Sequence, residues 1–269
     1  ARGALRSPLV ASVFVQRDGI KMSSWYRNLA ALCGASVLML GTAAAQDKVS
    51  VAAISGYFAQ GFGVSIVNGL NKARDELGVD VKLIDTGNRA LDYEEQFNNA
   101  AKDGQYDLIF VMGWELADAL QKAAAAYPDQ RFVFIDGVLD SDKIIYANFS
   151  EEEGSYLAGT LAGLMAEAGS AIPKMGDGKA IGFVGGRDIP VIRNFLKGYE
   201  AGSKAAAPDV RVDAVFAGTF DDPAKGSELT LALYEQGADV VFNVAGPTGE
   251  GVMQASAAAD KYSIGVDID

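Results

Sequence analysis

Residues 108–136 read LIFVMGWELADALQKAAAAYPDQRFVFID, and this stretch decides the fold. Leu108–Met112 is apolar at every position, as in a strand covered on both faces of a parallel sheet. Leu116, Leu120, Ala123 and Ala124 then recur at helical spacing, which predicts a helix over 116–127 with one sheet-facing stripe. Arg131–Asp136 follows as a second apolar strand. Strand, helix, strand in this order is a βαβ unit.

The same unit repeats outward in both directions. Strands are expected at Val49–Ile54, Val81–Asp85, Ile144–Asn148, Ala180–Val184, Arg211–Phe216, Val240–Val244 and Ile264–Asp267. Helices are expected between most of them, such as Ser65–Leu77, Ser155–Ala168, Val191–Ala206 and Ala224–Glu235. The fold class is therefore α/β, an open doubly wound parallel sheet whose ligands bind outside the C-terminal strand ends. The alternation breaks once, where Asp136 ends a strand and GVLDSDK leads into Ile144 with no helix between. A chain crossing between two lobes has this pattern; an antiparallel edge strand after an ordinary loop has it too. The first reading predicts an N-terminal lobe over 46–143, a C-terminal lobe over 144–264 and the start of a second crossing at 265–269.

Composition removes much chemistry. The 269 residues include no His and one Cys, which excludes His-based triads, His-ligated metals and an intrachain disulfide. A formal net charge of −12 argues against a grip on nucleic acid. Near the N-terminus, Met22, Arg27, the apolar run Leu29–Leu40 and Ala43-Ala44-Ala45 have the layout of a secretory signal peptide over 22–45. Residues 1–21 precede it and read as an upstream extension. Cys33 follows Leu32, not the small residue a lipoprotein signal wants, so a soluble exported protein is expected, not a lipid-anchored one.

The strand ends carry glycines, aromatic rings and acids. Gly56–Gly63 lacks the Lys and Ser/Thr of a phosphate loop and the spacing of a dinucleotide fingerprint. Phe58 and Phe62 lie there, either facing a ligand or stapling the next helix onto the core. Gly113 and Trp114 end the third strand. Gly185-Gly186-Arg187-Asp188-Ile189-Pro190 follows the sixth, with Arg187 a binding candidate and Asp188 with Pro190 a helix start. Phe220-Asp221-Asp222-Pro223 follows the seventh, Gly246-Pro247-Thr248-Gly249 the eighth, and Asp267 ends the last. A carboxylate there can accept hydrogen bonds from a vicinal diol, as an acid does for ribose in nucleotide-binding sheets. With no nucleophile–base pair, the set suits binding better than bond breaking.

In series these segments resemble the basic membrane protein family, specifically its PnrA-like purine nucleoside receptors. The similarity runs from about Val49 to Asp269 and is densest in EEEGSYLAGTLAGLMA (151–166), IGFVGGRDIPVIRNFLKGYEAG (181–202), FAGTFDDPAKGSELTLALYEQGADVVF (216–242) and IGVDID (264–269). The resemblance implies a type I periplasmic binding fold of two α/β lobes with the ligand in the cleft. It also implies a monomer with no cofactor and no enzymatic activity, whose partners are a nucleoside and the permease of an ABC transporter in the periplasm. By the family's motifs, Phe62 and Phe220 sandwich the base, Asp267 holds the sugar and Gly246 belongs to the G-x-T-G turn. Trp114 with Gly113 closes one edge. Phe58 and Ala59 stand where the family has paired acids, and Gly63 where it has Asn, which opens a different base edge or a more apolar flat ligand. Family members continue past the I-G-V-D strand, so the resemblance implies a fragment lacking the C-terminal part of the fold. Alternatives are a receptor for a sugar or other small ligand, and an α/β enzyme using Asp and Arg groups.

Overall fold

The computed structural model describes residues 48–59 and 61–267. The expected extension at 1–21, the signal peptide at 22–45, Cys33 and Asp269 lie outside the described residues. In chain order the elements are β1 (Ser50–Ser55), α1 (Phe62–Leu77), β2 (Asp80–Asp85), α2 (Tyr93–Ala101), β3 (Leu108–Met112), α3 (Ala117–Ala126), β4 (Phe132–Ile135) and β5 (Ile144–Ala147). They continue with α4 (Glu151–Ala168), β6 (Ala180–Gly185), α5 (Pro190–Ala206), β7 (Arg211–Phe216), α6 (Pro223–Glu235), β8 (Ala238–Val244), α7 (Gly249–Ala258) and β9 (Tyr262–Ile264). Strands pair in a five-stranded sheet, order β2-β1-β3-β4-β5, and a four-stranded sheet, order β7-β6-β8-β9. Every pairing is parallel.

Parallel strands explain the apolar runs. Ile109, Val111, Phe132 and Phe134 are buried with Phe97 and Leu120 in the first core. Phe183, Tyr199 and Phe242 are buried in the second, with ring centroids 5.2–6.1 Å apart. In each sheet the strand order turns once, between β1 and β3 and between β6 and β8. Crevices open at such points beyond the C-terminal strand ends.

Three local expectations are corrected. The first concerns Ile144, expected to open the C-terminal lobe. β5 instead pairs with β4 in parallel register, Phe132 opposite Ile144, and forms the edge of the first sheet. The chain therefore passes to the second sheet after Ala147, not within 137–143. Parallel neighbours normally need a long crossover, usually helical. Here the loop is pinned by the Tyr146 hydroxyl, whose one proton is shared between the carbonyls of Leu139 (2.7 Å) and Ser141 (2.9 Å). Leu139 and Tyr146 pack on the first core in place of a helix. The second concerns the last strand, which ends at Ile264, so Asp267 lies beyond it with φ 75°. The third concerns Asp188, which pairs with Arg193 while Ile189 takes the N-cap position before Pro190. Asp222, by contrast, does cap α6, accepting from the Lys225 N–H at 2.9 Å.

Helices α4 and α5 cross at backbone contact. A methyl group on Gly159 would stand 2.0 Å from the Tyr199 carbonyl oxygen, and one on Gly202 would stand 2.0 Å from that of Tyr156. Backbone cannot give way as a flexible side chain can, so Gly202→Ala should cost about 1–3 kcal/mol and lower the melting temperature by several degrees. Gly69, exposed on α1 with open space around it, is the control. Gly69→Ala should stabilise by up to about 1 kcal/mol. Thermal denaturation of both variants checks the contrast, and equal shifts would contradict it.

Candidate functional site

A cavity of about 400 Å³ lies where the C-terminal strand ends of the two sheets meet. Its wall draws on the β1–α1 loop (Tyr57, Phe62, Gly63), the end of β3 (Met112–Glu115), the end of β4 (Ile135, Asp136) and the segment joining the sheets (Phe149–Glu151). The second sheet contributes Ile189, Ile192, Phe195, Phe220, Gly246 and Asp267, among others. Six of the seven residues proposed from sequence thus share one cavity: Phe62, Gly113, Trp114, Phe220, Gly246 and Asp267. Arg187 does not. It is exposed outside the wall, where Ile189 is the residue of that turn that lines the cavity.

The rings are held by their surroundings. Phe62 packs on the buried cluster of Met112, Val133 and Ile135 and meets Phe149 edge-on, centroids 5.6 Å apart at 89°. Trp114 lies over Phe134 at 6.2 Å. Phe220 lies against two glycines: a methyl group on Gly186 would stand 2.2 Å from its ring, and Gly246 has φ 52°, a conformation that side-chain-bearing residues seldom adopt. Phe62 and Phe220 therefore both staple local structure and present a face to the cavity. Gly63 is needed for another reason, since a methyl group there would stand 1.8 Å from the Tyr57 carbonyl oxygen.

The polar groups of the wall are mostly acids. Crowding of the Asp267 carboxyl by protein raises its pKa. The Phe62 N–H, in the first turn of α1 where the N-cap Gly61 offers no side-chain acceptor, lies near enough to that carboxyl to lower it. Asp136, with φ 62°, raises its carboxyl from the end of β4. Burial, then the charges of Glu151 and Asp267, push its pKa up to about 7. Glu151 is buried at the start of α4 and accepts from Asn194 Nδ2 at 3.2 Å. Two of the acids lining the cavity, Asp136 and Asp267, thus hold left-handed backbone that non-glycine residues seldom adopt. At another part of the wall, burial raises Glu115, while its own N–H and Arg187 lower it. Burial and then Glu115 raise the Tyr57 hydroxyl.

Sequence reasoning missed Tyr57, Glu115, Asp136, Phe149, Glu151 and Phe195. Asp136 carries the same signal as Asp267, an acid at a parallel strand end. Phe149 and Glu151 needed the true position of the passage between sheets.

A model of the Bmp family, described as PnrA-like ABC transporter substrate-binding protein, matches residues 47–269. The chain belongs to this family. Bmp proteins are substrate-binding components of transporters, not enzymes. The chain is 39% identical over 191 residues to the ABC transporter nucleoside-binding protein BmpA of Lactococcus lactis subsp. cremoris, covering 68% of this chain and 51% of that protein. It is 27% identical to basic membrane protein A of Borreliella burgdorferi, over 82% of this chain and 63% of the relative. The chain thus spans between half and two thirds of the length of these relatives. A crystal structure of an ABC transporter solute-binding protein from Aeropyrum pernix K1 superposes with a TM-score of 0.71 at 29% identity, covering 81% of this chain and 61% of that one. A glucose-galactose binding protein from Geobacillus stearothermophilus, 15% identical with a TM-score of 0.64, shares the type I fold.

Asp136 gives the site a pH signature. Its folded pKa of about 7 lies above the ordinary 3.8, so the folded state holds a proton that the unfolded chain releases. The resulting stability is full below pH 3.8 and is lost as pH rises through about 7. Asp136→Asn, which mimics the protonated form, should leave the melting temperature nearly unchanged at about pH 4 and raise it at about pH 8. A difference that does not vary with pH would contradict the assignment.

Proposed function

We propose that this Bmp protein captures a nucleoside, a purine nucleoside first among them, between its two sheet-bearing halves. It would then deliver the nucleoside, as a monomer outside the cytoplasmic membrane, to the permease of an ABC importer. The observation that carries this reading is the pairing of flat aromatic walls with an acid in one cavity. Phe62 comes from the first half and Phe220 from the second, and Asp267 stands beside them. A flat heterocycle suits the rings, and a ribose diol suits a carboxylate that can accept two hydrogen bonds. The two halves act as lobes, residues 48–147 and 151–264, so the ligand enters an open form and closure brings both walls onto it. The Lactococcus relative is called a nucleoside-binding protein, which supports the ligand class, and membership of the Bmp family supports the transporter role.

Calorimetric titration with purine nucleosides, free bases and ribose tests the reading. Nucleosides should bind most tightly. Base–aromatic stacking is worth about 1–3 kcal/mol per base, so Phe62→Ala and Phe220→Ala should each weaken nucleoside binding about 5- to 150-fold. Charge-assisted hydrogen bonds are worth about 1.5–3 kcal/mol each. Asp267→Asn should therefore weaken nucleosides at least about tenfold more than free bases. Binding of ribose alone, or equal losses for base and nucleoside in Asp267→Asn, would overturn it.

A further inference from the structure

Residues 217–222, between β7 and α6, form no helix or strand, yet they carry Phe220 to the cavity wall. The first part of this segment is anchored after β6, where the Ala217 and Gly218 N–H groups donate to the carbonyls of Gly185 (2.9 Å) and Gly186 (2.8 Å). From 219 onward the anchor changes. Among the described residues, every hydrogen bond that links 219–222 to a part of the chain beyond α6 ends on Thr248. The Thr248 N–H donates to the Phe220 carbonyl at 2.9 Å. Its Oγ1 accepts from the Asp222 N–H at 2.9 Å and donates to the Thr219 carbonyl at 3.3 Å.

Thr248 stands at the N-cap of α7, where a threonine hydroxyl usually accepts from its own helix. It makes no such bond. The hydroxyl is given instead to the segment that bears Phe220. Thr248 is fully buried, and its surroundings fix it. Asn243 Oδ1 accepts from the Ala245 N–H at 3.1 Å, bracing the chain just before the turn. On the other side, a methyl group on Gly226 of α6 would stand 2.1 Å from the Thr248 carbonyl oxygen. Gly246 and Pro247 line the cavity as Phe220 does, whereas Thr248 itself does not. Any effect of Thr248 on a ligand must therefore pass through the residues it holds.

We infer that Thr248 is the positioning residue for the Phe220 ring: its three hydrogen bonds preset the ring, so that binding does not have to order residues 219–222. This rests on the nucleoside reading above, in which Phe220 stacks on the base. Ordering a helix-free segment costs conformational entropy, and a ring already in place spares the ligand that cost. The position calls for an acceptor and a donor at once, which a hydroxyl supplies. Valine has nearly the same shape and supplies neither, so it would strand the Asp222 N–H and the Thr219 carbonyl. Serine keeps both bonds.

Calorimetry with guanosine on Thr248→Val, Thr248→Ser, Phe220→Leu and the Thr248→Val, Phe220→Leu pair tests this. Thr248→Val should weaken binding about fivefold or more, and Thr248→Ser should stay within about threefold of the unaltered protein. With Phe220 already replaced by Leu, Thr248→Val should cost less than about twofold, which a general loss of packing would not do. In the ligand-free protein, the Phe220 ring-proton resonances, assigned through Phe220→Leu, should move in Thr248→Val and return in Thr248→Ser. Hydrogen exchange of the unaltered protein needs no variant to fold. The Asp222 and Thr248 amide protons should exchange at least about tenfold more slowly than in an unstructured chain before any nucleoside is added. Freely exchanging amides, unmoved Phe220 resonances, or an equal loss with and without the Phe220 ring would overturn the role of Thr248 and leave the nucleoside reading standing. Failure of guanosine, inosine and adenosine to bind the unaltered protein would take down both.

Discussion

Parallel pairing in both sheets is the constraint on which the rest depends. Strands such as β3 and β8 are covered on both faces, so their middles carry apolar side chains, and the polar residues of β8, Asp239 and Asn243, sit near its two ends. Polar and aromatic recognition groups are pushed to the strand ends, and because every strand is parallel those ends collect on one side of each sheet. The turn in strand order then opens a crevice there. Two such crevices facing each other make one cavity from residues that are far apart in the chain, from Tyr57 to Asp267.

Closeness in that cavity has electrostatic consequences. Asp136, Glu151 and Asp267 are near enough to raise the pKa of Asp136, whose own burial raises it more. The Phe62 N–H partly relieves Asp267, tying the segment after β9 to the start of α1. At Glu115 its own N–H and the charge of Arg187 act in the same way against burial. A wall that is apolar in its rings and rich in under-donated acceptors favours a ligand with a flat face and many N–H and O–H groups. It disfavours an anion. That balance is a property of the cavity, independent of the names of relatives.

Most of the strands and helices were legible because a parallel strand advertises itself as a continuous apolar run, and a covering helix as a stripe. Leu108–Met112 has the bounds expected from such a run, and the edge strand Arg211–Phe216, with polar Arg211 and Asp213, also has its expected bounds. The passage between sheets was not legible. A short helix-free loop between parallel neighbours breaks the usual rule, and the shared hydrogen bond from Tyr146 that holds it leaves no periodic trace. In the site, rings and acids at strand ends could be placed from local sequence. Arg187 could not, since local sequence does not say which side chain of a turn faces inward, and here Ile189 does. Glu115 stood in plain view next to Trp114, but its burial is a property of three-dimensional surroundings.

The central claim is that the base lies between a ring of the first half and a ring of the second. Its most direct measurement is intermolecular nuclear Overhauser contacts from the purine H8 of bound guanosine to phenylalanine ring protons, assigned through Phe62→Leu and Phe220→Leu. The account predicts contacts to both rings in one complex. Contacts to a single ring, or to neither, would contradict it.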